Sequence, residues 1–126
     1  MMSKLETPMI RRYWKRTGGT LIEEFLAVPR KRGQGCRVID AIIVLGCPAK
    51  IAEKSEMDLA GRDIIVVQAK ARRLGMPLMG QAVFSVELMK PFKPASIRSV
   101  ALCTETDAVL EPLLKPFGVE VVTDYG

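Results

Sequence analysis

Two aliphatic stretches carry the residues with which this sequence could do chemistry. Residues 63–70 read DIIVVQAK, and the alternation of a strand groups Ile64, Val66, Gln68 and Lys70 on one face. Residues 37–45 read RVIDAIIVL, and the same rule groups Val38, Asp40, Ile42 and Val44. An acid and a lysine are thus written into otherwise apolar rows, where an unpaired charge costs on the order of several kcal/mol. Two explanations stand side by side. In one, Asp40 and Lys70 form an ion pair that fixes the register of neighbouring strands. In the other, Asp40 binds a hard cation shared by the Gln68 amide oxygen or an adjacent backbone carbonyl, and Lys70 orients or activates a water. Mg²⁺ suits that role because it takes oxygen ligands, keeps several waters and clamps phosphate oxygens.

The rest of the composition narrows the chemistry. The chain has no histidine, which excludes the usual triads and leaves a carboxylate, a lysine, a tyrosine or a metal-bound water as general base. Its three cysteines, Cys36, Cys47 and Cys103, contain no CxxC pair, so they read as reduced structural thiols with neither a disulfide framework nor a zinc site.

The elements that must position these residues follow from pattern. Pro8 to Thr17 is an amphipathic helix with Ile10, Tyr13 and Trp14 on its apolar side. Its start is either a capping box of Ser3 and Glu6 or an N-cap at Thr7 followed by Pro8. After Gly18-Gly19 come a strand over 20–28, a hairpin tip over 29–35 (PRKRGQG) and a returning strand over 36–46. Residues 47–61 form a loop or short turn, 62–70 a strand, and a helix runs from Leu78 to Met89, ending before Pro91. A strand over 96–103, a helix over 106–115 with a kink at Pro112, and a strand over 119–123 complete one domain spanning residues 1–126. The order α-β-β-β-α-β-α-β predicts an α/β fold with a mixed central sheet flanked by helices.

This order, with an acid near the first helix, Asp40 in RVIDAIIV, a strand ending in IIVVQAK and a following helix with an early glutamine in GQAVFSVEL, resembles the core of the PD-(D/E)XK nuclease superfamily. The Q-x-K ending is similar to the Mrr-type restriction endonuclease branch. The resemblance covers roughly residues 5–103 and implies a restriction endonuclease-like fold. It makes Asp40 the central metal ligand, Gln68 a weaker partner and Lys70 the lysine that positions the nucleophilic water. Glu6 would complete or support the metal site, with Glu24 on the first strand as the competing acid. Gln81 would support the site from the second helix or contact the nucleic-acid backbone. Plainer roles stay open: Glu6 as a helix cap, Glu24 as a strand-edge charge and Gln81 as a helix surface residue.

Charge gives the resemblance a substrate. Residues 1–40 hold nine Lys or Arg against four acids, whereas residues 41–126 balance ten against ten. Such a basic region is either a solvated face or the footprint of a polyanion. On the second reading Arg11 and Arg12 beside the first helix, and Arg30, Lys31 and Arg32 on the hairpin tip, reach phosphates. Arg72 and Arg73 contact the scissile strand, while Tyr13 and Trp14 belong to the core. The expectation is a Mg²⁺- or Mn²⁺-dependent endonuclease acting on DNA more than RNA. The alternatives are an inactive nucleic-acid-binding or scaffold module of the same fold, and an unrelated α/β protein with a structural Asp40–Lys70 pair. Self-association as a homodimer is expected for cutting both strands. The charged N-terminus and the lack of a long apolar run predict a cytoplasmic protein with no membrane partner.

Overall fold

A computed structural model describes residues 4–125. The first helix, α1, spans Glu6–Thr17 and buries Met9, Ile10 and Tyr13. It starts ahead of the expected Pro8, and the Ser3 of the alternative capping box lies outside the described residues. The helix stops at Gly18, whose N–H donates to the Trp14 carbonyl over 2.7 Å. Trp14 in turn donates its indole N–H to the Gly19 carbonyl, so both aromatic residues of α1 serve packing and turn geometry. Gly19 is fixed by sterics: its φ is +85°, and a Cβ there would come within 2.5 Å of the Val44 carbonyl oxygen.

Five strands follow, β1 (Thr20–Val28), β2 (Arg37–Val44), β3 (Asp63–Arg73), β4 (Ser96–Glu105) and β5 (Val119–Thr123). They form one mixed sheet in the order β1-β2-β3-β4-β5. The first three make an antiparallel meander, and β3, β4 and β5 run parallel. The second helix, α2 (Met76–Met89), makes the crossover from β3 to β4.

The two helices cover opposite faces. Met9, Ile10 and Tyr13 of α1 pack with Ile43, Val67 and Leu102. On the other side Met89 packs with Ile42, Val44 and Val66, while Leu78 and Ala82 pack with Ala101 and Cys103. The expected α/β architecture with a mixed sheet flanked by helices is therefore present. The third helix is a correction. Residues Glu111–Phe117 form a 3₁₀ helix, because Pro112 and Pro116 have no N–H to donate to an α-helical ladder. The turn before it is held by Asp107, whose carboxylate accepts the N–H groups of Val109 and Leu110. Residues 47–61 are not a free loop either: Leu21 and Ile51 bridge, which covers part of the exposed edge of β1. All three cysteines are free, and no helix among the described residues is long and apolar enough to cross a membrane.

Candidate functional site

The site begins where two central strands part. β2 and β3 pair from Val44↔Ile64 to Ala41↔Val67, and the ladder ends there. The next two residues in register are Asp40 and Gln68, and their side chains replace the missing backbone bonds. The Asp40 N–H donates to Gln68 Oε1 over 3.3 Å, and the Ala69 N–H donates to Asp40 Oδ2 over 2.9 Å. Gln68, 6% exposed, donates its Nε2 to Ser85 Oγ on α2 over 2.7 Å. The Ser85 hydroxyl gives its own proton to the Gln81 carbonyl, so toward residue 68 its oxygen can only accept. An amide satisfies both neighbours, with an oxygen for Asp40 and an N–H for Ser85. A carboxylate would meet a second acceptor.

Beyond the fork lies a cleft of about 470 Å³ lined by Asp40, Gln68, Lys70 and Gln81, with Arg37 and Phe84 among its walls. Lys70 also borders a neighbouring cavity of about 570 Å³, on which Glu6 and Arg72 open. Glu6 is tied to this strand directly, because its Oε2 accepts the Ala71 N–H over 2.8 Å. Four of the expected residues thus meet at one opening, and Glu6 stands at the next, with Lys70 shared between the two. Asp40 and Lys70 line a common cleft, and no ion pair joins them among the described residues.

Burial pushes the Asp40 carboxyl above its ordinary pKa. The Ala69 N–H and the Lys70 charge pull it back, while the Glu6 charge pushes it further up. The Glu6 carboxylate is therefore close enough to act on Asp40 electrostatically. Glu24 differs: it is exposed, lines neither cavity and adopts a φ of +49° in β1. That left-handed conformation is strained for a residue with a side chain. Next to it, Phe25 and Ile39 join Ile22 and Ile42 in the cluster under α2, which departs from simple alternation.

The basic residues divide in two groups. Arg11 makes a two-pronged pair with Glu23, at 3.1 and 2.9 Å, and Arg12 does the same with Asp124, at 3.0 and 2.6 Å. Arg73 is engaged by Glu105 and the Thr106 carbonyl. These three arginines are engaged by acids within the protein. Arg30, Lys31, Arg32 and Arg72 are exposed and enter no ion pair among the described residues. Sequence reasoning missed Ser85, Arg37 and Phe84. Ser85 carried a signal, since it sits four residues after Gln81 on the buried side of α2 with Leu78, Ala82 and Met89.

Among the described residues no three His, Cys, Asp or Glu side chains gather as a ready-made metal cluster. Among the oxygens lining the cleft are Asp40 Oδ1, which has no hydrogen bond among the described residues, and Gln68 Oε1, which accepts the Asp40 N–H. One carboxylate and one amide oxygen suit a hard cation that keeps most of its waters, as Mg²⁺ does. No family model, curated protein or solved structure matches the chain.

Two outcomes follow from these bonds. Because the Asp40 pKa is raised, the folded state holds that proton more tightly than the unfolded one, and stability falls as pH rises through the raised value. In EDTA, Asp40→Asn therefore melts roughly 2–5 °C above the wild type at pH 7, the shift that about 1 kcal/mol makes in a domain of this size. The gain disappears below about pH 4, where the unfolded carboxyl is protonated too. A lower melting temperature for the variant at pH 7 contradicts this reading. Gln68→Glu sets an acceptor against Ser85 Oγ and costs about 1–3 kcal/mol in urea denaturation at neutral pH. Acid reduces that cost, because the protonated carboxyl again has a hydrogen to donate.

Proposed function

We propose that this protein is a metal-dependent nuclease of the PD-(D/E)XK kind, with a restriction endonuclease-like fold, that hydrolyses phosphodiester bonds in DNA. One observation carries the reading: Asp40, Gln68 and Lys70 converge on one cleft at the point where β2 and β3 part, with Gln81 of α2 on its wall. Asp40 and Lys70 line that cleft without an ion pair between them among the described residues. Asp40 and Gln68 would hold Mg²⁺ or Mn²⁺, with Glu6 adding negative charge from across β3. When bound, that cation supplies Lewis-acid neutralisation of phosphate charge and lowers the pKa of water.

The chain's own groups do the rest. Lys70 keeps its ammonium at the boundary of both cavities, where it can donate to an attacking water and to a phosphate oxygen gaining charge in the transition state. The Ala69 N–H and the Asp40–Gln68 exchange hold the Asp40 carboxylate still, so no reorganisation is needed when substrate arrives. Arg72 borders the Lys70 side of the site, and Arg30, Lys31 and Arg32 occupy the hairpin between β1 and β2. These exposed cations supply sequence-independent attraction for phosphates.

A second reading is an inactive module that binds nucleic acid. It is favoured by one observation, that both ends of the Gln68 amide are already hydrogen-bonded within the protein. Incubation with plasmid and single-stranded DNA in Mg²⁺ or Mn²⁺ separates the two. The nuclease reading expects cleavage that falls at least about 100-fold in Asp40→Ala and in Lys70→Ala. Salt-dependent binding with no cleavage in the wild type supports the inactive module. Cleavage indifferent to both substitutions overturns the assignment of the site.

A further inference from the structure

We propose that the cleft takes its substrate as single-stranded DNA, with one unpaired base stacked on Phe84. The inference rests on the nuclease reading for the identity of the ligand, and on separate residues for its form. Phe84 is 67% exposed, yet its ring borders the same cleft as Asp40 and Lys70. Among the described residues it has no aromatic or cation–π partner; the paired rings are Phe25 and Phe92, and the stacked cations lie over Tyr13, Phe25 and Phe92. Val38, 40% exposed, faces the cleft from β2 and adds apolar surface.

One turn before Phe84 on the same helix stands Gly80, also on the cleft wall. A Cβ at Gly80 would meet nothing within 4 Å, so no neighbour within the protein requires glycine there, although glycine weakens a helix interior. The room at Gly80 is open. The cleft thus joins an aromatic side chain and the open room at Gly80 to Lys70, Asp40, the Gln68 amide and Arg37.

That combination fits a nucleotide more closely than a duplex. In a duplex each base face is covered by its neighbours, and only edges and phosphates are offered to a protein. An exposed aromatic ring gains from an unstacked base, whose face is free, and every base has one. Phe84 and Gly80 also border a shallower apolar surface with Met76, Leu113 and Phe117, which a second copy of the chain could cover. Its place in a cleft with Asp40, Lys70 and Arg37 argues for nucleic acid, since an apolar partner there would bury charges without pairing them.

Fluorescence anisotropy tests the inference with a labelled single-stranded DNA of about 12 nucleotides and the matching duplex, in EDTA so that neither metal nor cleavage enters. The wild type is expected to bind the single strand at least about fivefold tighter than the duplex. Phe84→Ala weakens single-strand binding about tenfold and duplex binding by less than about twofold, while Phe84→Trp keeps the affinity for the single strand. Gly80→Leu, which fills the open room at Gly80 on the cleft wall, also weakens single-strand binding. The inference is overturned by unchanged single-strand affinity in Phe84→Ala, or by an equal loss on both DNAs. It is also overturned if Phe84→Ala changes only the gel-filtration volume, which would assign the ring to a contact between copies. Failure of the nuclease reading looks different: no DNA is cut in Mg²⁺ while this binding pattern holds.

Discussion

Everything distinctive about this molecule depends on how two parting strands satisfy their backbone. A buried N–H without a partner costs on the order of 1–3 kcal/mol, so the end of the β2–β3 ladder has to be closed by something. Asp40 and Gln68 close it by exchanging side chain for backbone, Asp40 with the Ala69 N–H and Gln68 with the Asp40 N–H. The same two bonds that end the β2–β3 ladder set the aspartate carboxylate on the wall of a cleft. Helix α2 completes the arrangement through Ser85, which fixes the glutamine from the other side. Structure and proposed chemistry are therefore coupled at one point.

That coupling gives a physical account of the neutral residue at position 68. A glutamate would bring more charge for a cation, but it would oppose the Ser85 oxygen and add a second buried carboxylate beside Asp40. Burial already works against ionisation of Asp40, and the Glu6 charge adds to that opposition. The glutamine keeps the fork stable at the expense of negative charge in the cleft. Lys70, on the border of both cavities, offsets part of the remaining carboxylate charge.

Much of this was legible in the sequence, and the limits have identifiable causes. Strand alternation grouped Gln68 with Lys70 and Asp40 with Val38, and all four line one cleft, although β2 departs from alternation between Ile39 and Ile42. The mixed sheet and the helices on both faces followed from the same patterns. The fates of the arginines were hidden: Arg12 meets Asp124 across 112 positions of sequence, and no local pattern reports such a pair. The 3₁₀ form of Glu111–Phe117 was hidden behind a helix-like composition, although Pro112 and Pro116 stood in view. Glu24 looked like a candidate ligand by position in β1, and its left-handed backbone, which strand periodicity does not foresee, accompanies its exclusion from both cavities.

The central claim is that the parted strands form a cation site built on Asp40. Crystals of the wild type soaked in Mn²⁺ and measured for anomalous scattering test it without reference to any substrate. The account predicts a peak at the cleft, about 2.0–2.3 Å from an Asp40 carboxylate oxygen. A peak held by Glu6 without Asp40, or no peak at the fork while Mn²⁺ binds elsewhere on the protein, would contradict it.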